Sequence, residues 1–445
     1  MALSLKPLSE SPLWLRWVPL IAFCAVIVHY FWFLNSHAAN IPYQDDISDL
    51  VQFVTLVEKA ENGWVALETW FRQYNDHRVG ATRLVVYAVY QLEGEMNFHT
   101  LTIVANLALP LILFLFYLSV RDVQQRWIYL LVAALLLFNL KHYTLSFMSQ
   151  AAFAYYFVFL YAFACIYTLH EVTKIKFVVA AVFCFLSSFS LASGQIAWLI
   201  GLASLLHQSL LFGRRSLWYP LAWTLMAIVM LVVWYWGFTP GKFEIPAEKI
   251  RELIPDYLGD APLSETLPRY AAFFLAFTGS ALINFSALLA EISGAAMLVL
   301  LVYLSLKSLK YHDVRLVLCC WFAVATLAAA TVGRALIVAP DTILHARYNF
   351  FSVMLLCPLA MLTLTRFAIF RTYAVYIVVA LSLSYSVLAW HQSERRLDST
   401  LLTLHSDFNR GRYPVAGMPG KAQVIMKEAI SEGIYNPPCR PFPCQ

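Results

Sequence analysis

Long apolar runs without charge alternate with short polar stretches along the whole chain. Runs near 18 residues or longer read as membrane-spanning helices, because about 20 residues at 1.5 Å rise cross the hydrocarbon core. They are too long for barrel strands, and only helices or closed barrels satisfy their backbone in lipid. The pattern predicts spanning helices near 17–34, 101–118, 127–140, 153–169, 177–193, 195–212, 218–236, 285–306, 316–338, 348–365 and 373–390. The first, Trp17 to Leu34, is too long for a signal-peptide core, and no small-residue cleavage site follows it cleanly, so it reads as a retained helix. No internal repeat is visible.

Charge then sets direction, since lysine and arginine concentrate in cytoplasmic connections. With the N-terminus inside, the inside connections hold Lys6, Arg16, Arg121, Arg126, Lys174, Lys176, Arg214, Arg215, Lys307, Lys310, Arg315, Arg366 and Arg371, against Lys141 and Arg347 in the short outside loops. The stretch 270–306 is long enough for two helices, but two crossings would put Lys307, Lys310 and Arg315 outside. Tyr270 to about Asn284 is therefore expected to be re-entrant or interfacial. The expected fold is an all-α integral membrane protein of about eleven transmembrane helices spanning 1–390, followed by a short outer tail, 391–445. Two outer loops are long, 35–100 and 237–284. The first carries helical stretches to Glu61 and from Val79 to Leu92 that suit the interface. The tail is expected to form short amphipathic helices near 393–408 and 421–432.

Composition agrees. Of 445 residues only 13% are charged, against roughly 25% in soluble proteins, which excludes an ordinary soluble domain. The net charge of +5 is modest and does not suggest nucleic acid. Cys24, Cys165, Cys184, Cys319, Cys320 and Cys357 lie in apolar segments and read as small buried hydrophobes. Cys439 and Cys444 share a polar tail, Pro437-Pro-Cys-Arg-Pro-Phe-Pro-Cys444, that the topology places outside, where a disulfide can form.

Candidate chemistry follows the same side. Asp45 and Asp46 close the motif Ile41-Pro-Tyr-Gln-Asp-Asp46. Adjacent carboxylates repel, which suits a base, worth about 10²–10⁴ in rate, or a pair meeting a cation. They equally suit an ordinary solvated helix N-cap, since Asp46-Ile-Ser-Asp49 opens a helical stretch. Asn75-Asp-His-Arg78 offers the acid Asp76, the imidazole of His77 and the guanidinium of Arg78, or else a polar turn. Asp341-Thr-Ile-Leu-His-Ala-Arg-Tyr348 supplies His345, Arg347 and Tyr348, with Arg334 near the outer end of the preceding helix. Arginine suits phosphate because its fork makes two charge-assisted hydrogen bonds, although Arg334 also suits snorkelling. Lys141 and His142 add phosphate contacts or an interfacial anchor. There is no Walker loop, no GxSxG and no zinc spacing.

On these residues the chain resembles the GT-C glycosyltransferases, polytopic enzymes that take sugar from a polyprenyl-phosphate donor on the periplasmic or lumenal face. The resemblance rests on Asp45-Asp46 in a large first outer loop, on interfacial helices there, on His77-Arg78 before the second of them, and on Arg347-Tyr348. It covers residues 1–390 and is weaker for the short tail. It implies an inner-membrane enzyme of the bacterial cell envelope with a periplasmic site. Sugar would pass with inversion to a hydroxyl of a glycan, a lipid or a protein such as pilin. Asp45 or Asp46 (with Asp76 as a further acid) would take the proton. His77, Arg78, Lys141, His142, Arg334, His345, Arg347 and Tyr348 would hold the donor phosphate. A divalent cation is compatible but not required. A transporter or lipid-linked sugar flippase is the alternative, but transporters place charges near the midplane and often show repeats. A non-catalytic assembly subunit would tolerate loss of the carboxylates.

Overall fold

The computed structural model describes residues 13–123, 125–211, 217–239, 262–336, 346–371, 374–413 and 419–440. Among these residues nine helices are long and apolar enough to cross a membrane: Trp17–His37, Phe98–Val120, Arg126–Ser146, Ser149–Leu169, Trp218–Tyr235, Ala287–Ser308, Arg315–Arg334, Arg347–Arg366 and Val375–Asn409. The chain is an all-α, multi-pass membrane protein.

Helix α1 (Leu13–His37) leads into the first long connection. There a π-helical turn, Asp46–Val51, continues as α2 (Gln52–Glu58), and α3 (Gly63–Phe71) is capped by the Asn62 side chain. Strands β1 (Gln73–Tyr74) and β2 (His77–Arg78) pair antiparallel in a two-stranded ribbon. Helix α4 (Gly80–Glu93) ends at Gly94, whose φ of 77° stops the helix without a Cβ penalty. Next come α5 (Phe98–Asn106) and α6 (Ala108–Val120). They are split near Leu107 because Pro110 has no N–H to give Asn106.

Helix α7 (Arg126–Leu137) ends at a capped turn, Leu140–His142, with Asn139 accepting from Lys141 N at 2.8 Å. After the short α8 (Tyr143–Ser146) run α9 (Ser149–Leu169), α10 (Lys174–Ser188), α11 (Ile196–Leu206) and α12 (Trp218–Tyr235). The expected helices 177–193 and 195–212 thus appear as α10 and α11, each under 18 residues before its irregular ends. The rest of the bundle is α13 (Leu263–Gly279), α14 (Ala287–Ser308), α15 (Arg315–Arg334), α16 (Ala346–Arg366) and α17 (Val375–Asn409).

Polar contacts gather the helix ends into two sets. At one end, the loop end, Asp46 meets the start of α9 and Arg78 meets the end of α12. At the opposite end Arg315 Nη2 donates to Leu118 O at 3.3 Å, Arg366 Nη2 to Asp313 O at 3.0 Å, and His207 Nε2 lies 3.3 Å from Leu309 O. Helix α13 is anchored twice at the loop end. Arg269 Nε donates to Ala335 O at 3.1 Å, just past α15, and Ala281 N donates to Ser352 Oγ at 3.1 Å, near the start of α16. Helices α13 and α14 touch backbone to backbone: a Cβ on Gly294 would collide with Leu275 O, and one on Gly279 with Ala290 O. Small residues permit that approach.

One expectation about the tail changes. The segment 393–408 is not a separate helix; it prolongs α17 into 35 residues, about 52 Å at 1.5 Å rise. Nothing between Trp390 and Ser393 interrupts it, since that stretch holds no glycine or proline. The last helix, α18 (Pro419–Ser431), lies on the first long connection. Lys59 Nζ pairs with Glu428 at 2.8 Å and Glu432 at 2.9 Å, Met96 N donates to Ile434 O at 2.7 Å, and Tyr435 OH donates to Asn40 O at 2.8 Å. Cys439 is in a disulfide, whereas Cys444 lies outside the described residues; the six other cysteines are free.

Candidate functional site

The first connection turns sharply before its two acids. Gln44 has φ 51°, a left-handed conformation rare for a side-chain-bearing residue. Asp46 is 2% exposed and is used structurally: it accepts from Gln150 N at 2.7 Å and from Tyr43 N at 3.1 Å, fastening the turn to the head of α9. Burial pushes its carboxyl up to about 7 in spite of those bonds. It is not the solvated cap that the sequence also allowed. Asp45 is only partly buried. Its Oδ1 accepts from Tyr74 OH at 2.9 Å, and Tyr74 OH also lies 2.7 Å from Ser48 Oγ. Burial and the Asp45 charge hold the Tyr74 phenol above its ordinary range, so it stays a neutral donor.

One turn on, Asp49 makes a buried ion pair with Arg83 on α4, 2.6 Å from Nη2. Arg83 Nη1 also donates to Thr69 O at 3.1 Å, Trp70 O at 3.1 Å and Arg72 O at 2.7 Å. This hub closes the end of α3. A buried pair of this kind is costly to break because the survivor is left uncompensated.

The ribbon supplies the second group. Asn75, at φ 47°, makes its tight turn, and Asp76 is exposed at the tip. His77 Nδ1 accepts from Ala192 N at 3.4 Å, which leaves the ring proton on Nε2. Burial pulls His77 down to about 4, with the Asp76 charge opposing, so it is neutral at pH 7 and brings a donor rather than a cation. Arg78 is committed elsewhere. Its Nε donates to Trp234 O at 2.8 Å, Nη1 to Phe71 O at 2.7 Å and Nη2 to Trp236 O at 2.5 Å, clamping the ribbon to the end of α12.

The late helices bring the remaining positive charge. Tyr348, at the head of α16, carries the Arg347 guanidinium 5.2 Å from its ring centroid and that of Arg334 at 6.0 Å. Arg347 Nη2 also donates to Tyr348 OH at 3.3 Å. Neither arginine has a carboxylate within 4 Å among the described residues. Asp45 is within electrostatic reach of Arg347, and Arg334 within reach of His77. Tyr155 on α9 is within electrostatic reach of Arg347, Arg334 and Asp45. The structure thus brings Asp45, His77, Arg334, Arg347 and Tyr348 to one place and adds Tyr43, Tyr74 and Tyr155. The sequence signal for Tyr43 was its place in the acidic motif; Tyr155 had none inside an apolar run.

Lys141 and His142 face other neighbours. Lys141, 6% exposed, holds its ammonium 5.4 Å from the Tyr385 ring on α17. His142 is enclosed by Tyr156 and Phe350, with both ring nitrogens unbonded. His345 lies outside the described residues. A groove of about 740 Å³ opens between α1, α7 and α17, lined among others by His29, Trp32, Phe33, His37, Trp390 and Glu394. No protein-family model matches the chain, and neither a curated protein nor a solved structure does.

Proposed function

We propose that the chain is an inverting glycosyltransferase of the GT-C type, moving a sugar from a polyprenyl-phosphate donor to an acceptor hydroxyl on the non-cytoplasmic face of the membrane. The observation that carries this reading is Asp45 within electrostatic reach of Arg347, which shares the Tyr348 ring with Arg334, while no carboxylate lies within 4 Å of either guanidinium among the described residues. Partly buried guanidiniums without a neighbouring acid among the described residues suit a phosphate, which accepts their hydrogen bonds and charge. In the reaction the acceptor oxygen attacks the anomeric carbon, the bond from that carbon to the phosphate oxygen breaks, and Asp45 takes the hydroxyl proton. The lipid phosphate leaves as an anion, met by Arg334 and Arg347, with His77 Nε2–H as a neutral donor. Preorganised charge of this kind, worth more in a water-poor site, is the larger contribution.

Asp46, Arg78 and Arg83 become positioning residues in this scheme. In this reading the lipid chain lies in the groove beside α1 and α17. We read α13 as re-entrant, supported by its two anchors at the loop end, and the chain as crossing eleven times with its N-terminus in the cytoplasm. The charge rule and the two sets of helix ends support that topology. The test is transfer of a lipid-linked sugar by purified protein. Asp45→Asn is expected to lower kcat by about 10²–10⁴. Arg347→Ala is expected to weaken donor use by about 10–100-fold, the equivalent of a charge-assisted hydrogen bond. Full transfer by a stably folded Asp45→Asn protein removes the acid from the reaction and the reading with it.

A further inference from the structure

At the end of the bundle away from the candidate site, two turns meet. His170 and Glu171 lie between α9 and α10, and His312 lies between α14 and α15. One ligand atom from each of the three lies within 4.8 Å of the other two. The two imidazole rings are 5.1 Å apart between centroids, tilted by 57°.

We propose that His170, Glu171 and His312 form a zinc site that ties these two turns together. Two imidazoles and one carboxylate, with a water in the fourth position, are a donor set that Zn²⁺ accepts. Nitrogen and oxygen ligands about 2.0–2.2 Å from a tetrahedral ion lie closer together than the present spread. All three residues sit on turns rather than within helices, where closing that difference asks for no change in a helix backbone. The His170 ring has no hydrogen bond among the described residues, so nothing there holds it away from a metal.

The backbone presents Glu171 in an unusual way. It has φ 52°, a left-handed position that favours glycine, and it follows directly on His170, the last residue before α9 gives way. Lys176 Nζ steadies the turn by donating to His170 O and Glu171 O, both at 3.4 Å. That use of the carbonyls leaves the His170 ring and the exposed Glu171 carboxylate for another partner. Besides Lys176, a second cation lies close by, and it already has a counter-charge. Arg315 is neutralised by Asp313 in a bidentate pair, Nε to Oδ1 at 2.9 Å and Nη2 to Oδ2 at 2.7 Å. His207, a third imidazole in the neighbourhood, is turned with Nε2 toward Leu309 O and is not counted as a ligand.

The experiment uses the full chain in detergent, freed of any tag and of metal. Zinc is titrated against a chromophoric chelator. One Zn²⁺ per chain is expected, with the thermal midpoint raised as it binds. His170→Ala and His312→Ala are each expected to weaken binding by about 10-fold or more, while keeping the midpoint of the metal-free parent. Equal affinity in the His170→Ala/His312→Ala double variant overturns the site, as does the absence of saturable binding by the parent. If the variants fail to fold, Co²⁺ added to the parent decides. Visible bands of a four- or five-coordinate nitrogen–oxygen site support the proposal, and a spectrum of aqueous cobalt overturns it.

Discussion

Asp45 and Asp46 are neighbours in sequence and differ in almost every physical respect. One is partly open and lies near arginines that no carboxylate pairs among the described residues; the other is sealed by two backbone N–H groups, one of them at the head of α9. The difference has a pH signature. Asp46 is raised from 3.8 to about 7 by burial, so the folded protein binds its proton more tightly than the unfolded chain. Its contribution to stability is complete below 3.8 and is lost as pH rises through 7, at no more than about 1.4 kcal/mol per pH unit. Thermal midpoints should therefore fall between pH 4.5 and 7.5. Asp46→Asn keeps an acceptor for Gln150 N and should flatten that slope; a slope unchanged by the substitution would assign it to another group. The sequence identified the acidic pair but not the division of labour within it. Adjacent residues share a composition signal, while the helical backbone at Asp45 and Asp46 points their side chains about 100° apart and so to different partners. Arg78 was equally opaque, since carbonyls from α3 and α12 claim it and carbonyls leave no mark in a sequence.

At the scale of the element, the crossing of α13 and α14 is the sharpest constraint. Gly294 has the Leu275 carbonyl where its Cβ would be, and backbone cannot rotate away as a side chain can. Gly294→Val is expected to cost about 3 kcal/mol through overpacking. Gly333→Ala, with nothing within 4 Å of the added carbon, should leave the melting midpoint in detergent at or above the parent's. Equal midpoints for all three proteins would show that the crossing is looser than described. Apolar periodicity located the long helices well, because burial in lipid and burial in a bundle demand the same residues. It misjudged α17, dividing one helix at the hydropathy step after Trp390. Polarity changes there while helix propensity does not, and the backbone follows propensity.

For the whole molecule, the basic residues and the helix ends agree on two faces. Ser399, exposed on α17, and Lys174, exposed at the start of α10, belong to opposite ends. In intact cells a membrane-impermeant maleimide should label Ser399→Cys but reach Lys174→Cys only after permeabilisation. The reverse pattern would invert the topology and remove the candidate site from the non-cytoplasmic face. The multi-pass helical character was legible early, since long apolar runs are a property of whole segments. The closure of the first loop by the tail was not, because Tyr435 and Asn40 lie 395 positions apart and no local pattern links them.

That closure sets a timetable. The ribosome finishes the loop that bears Asp45 long before it reaches Glu428 or Tyr435. At about 5–20 residues per second, the interval between Asn40 and Tyr435 is roughly 20–80 s. Throughout it the young loop lacks the Lys59 ion pairs and the Met96 backbone bond that later hold it. Maturation of the candidate site is thus deferred to the last stretch of synthesis. A chain interrupted anywhere before α18 would carry an unfastened loop, without the Lys59 ion pairs or the Tyr435 bond to Asn40.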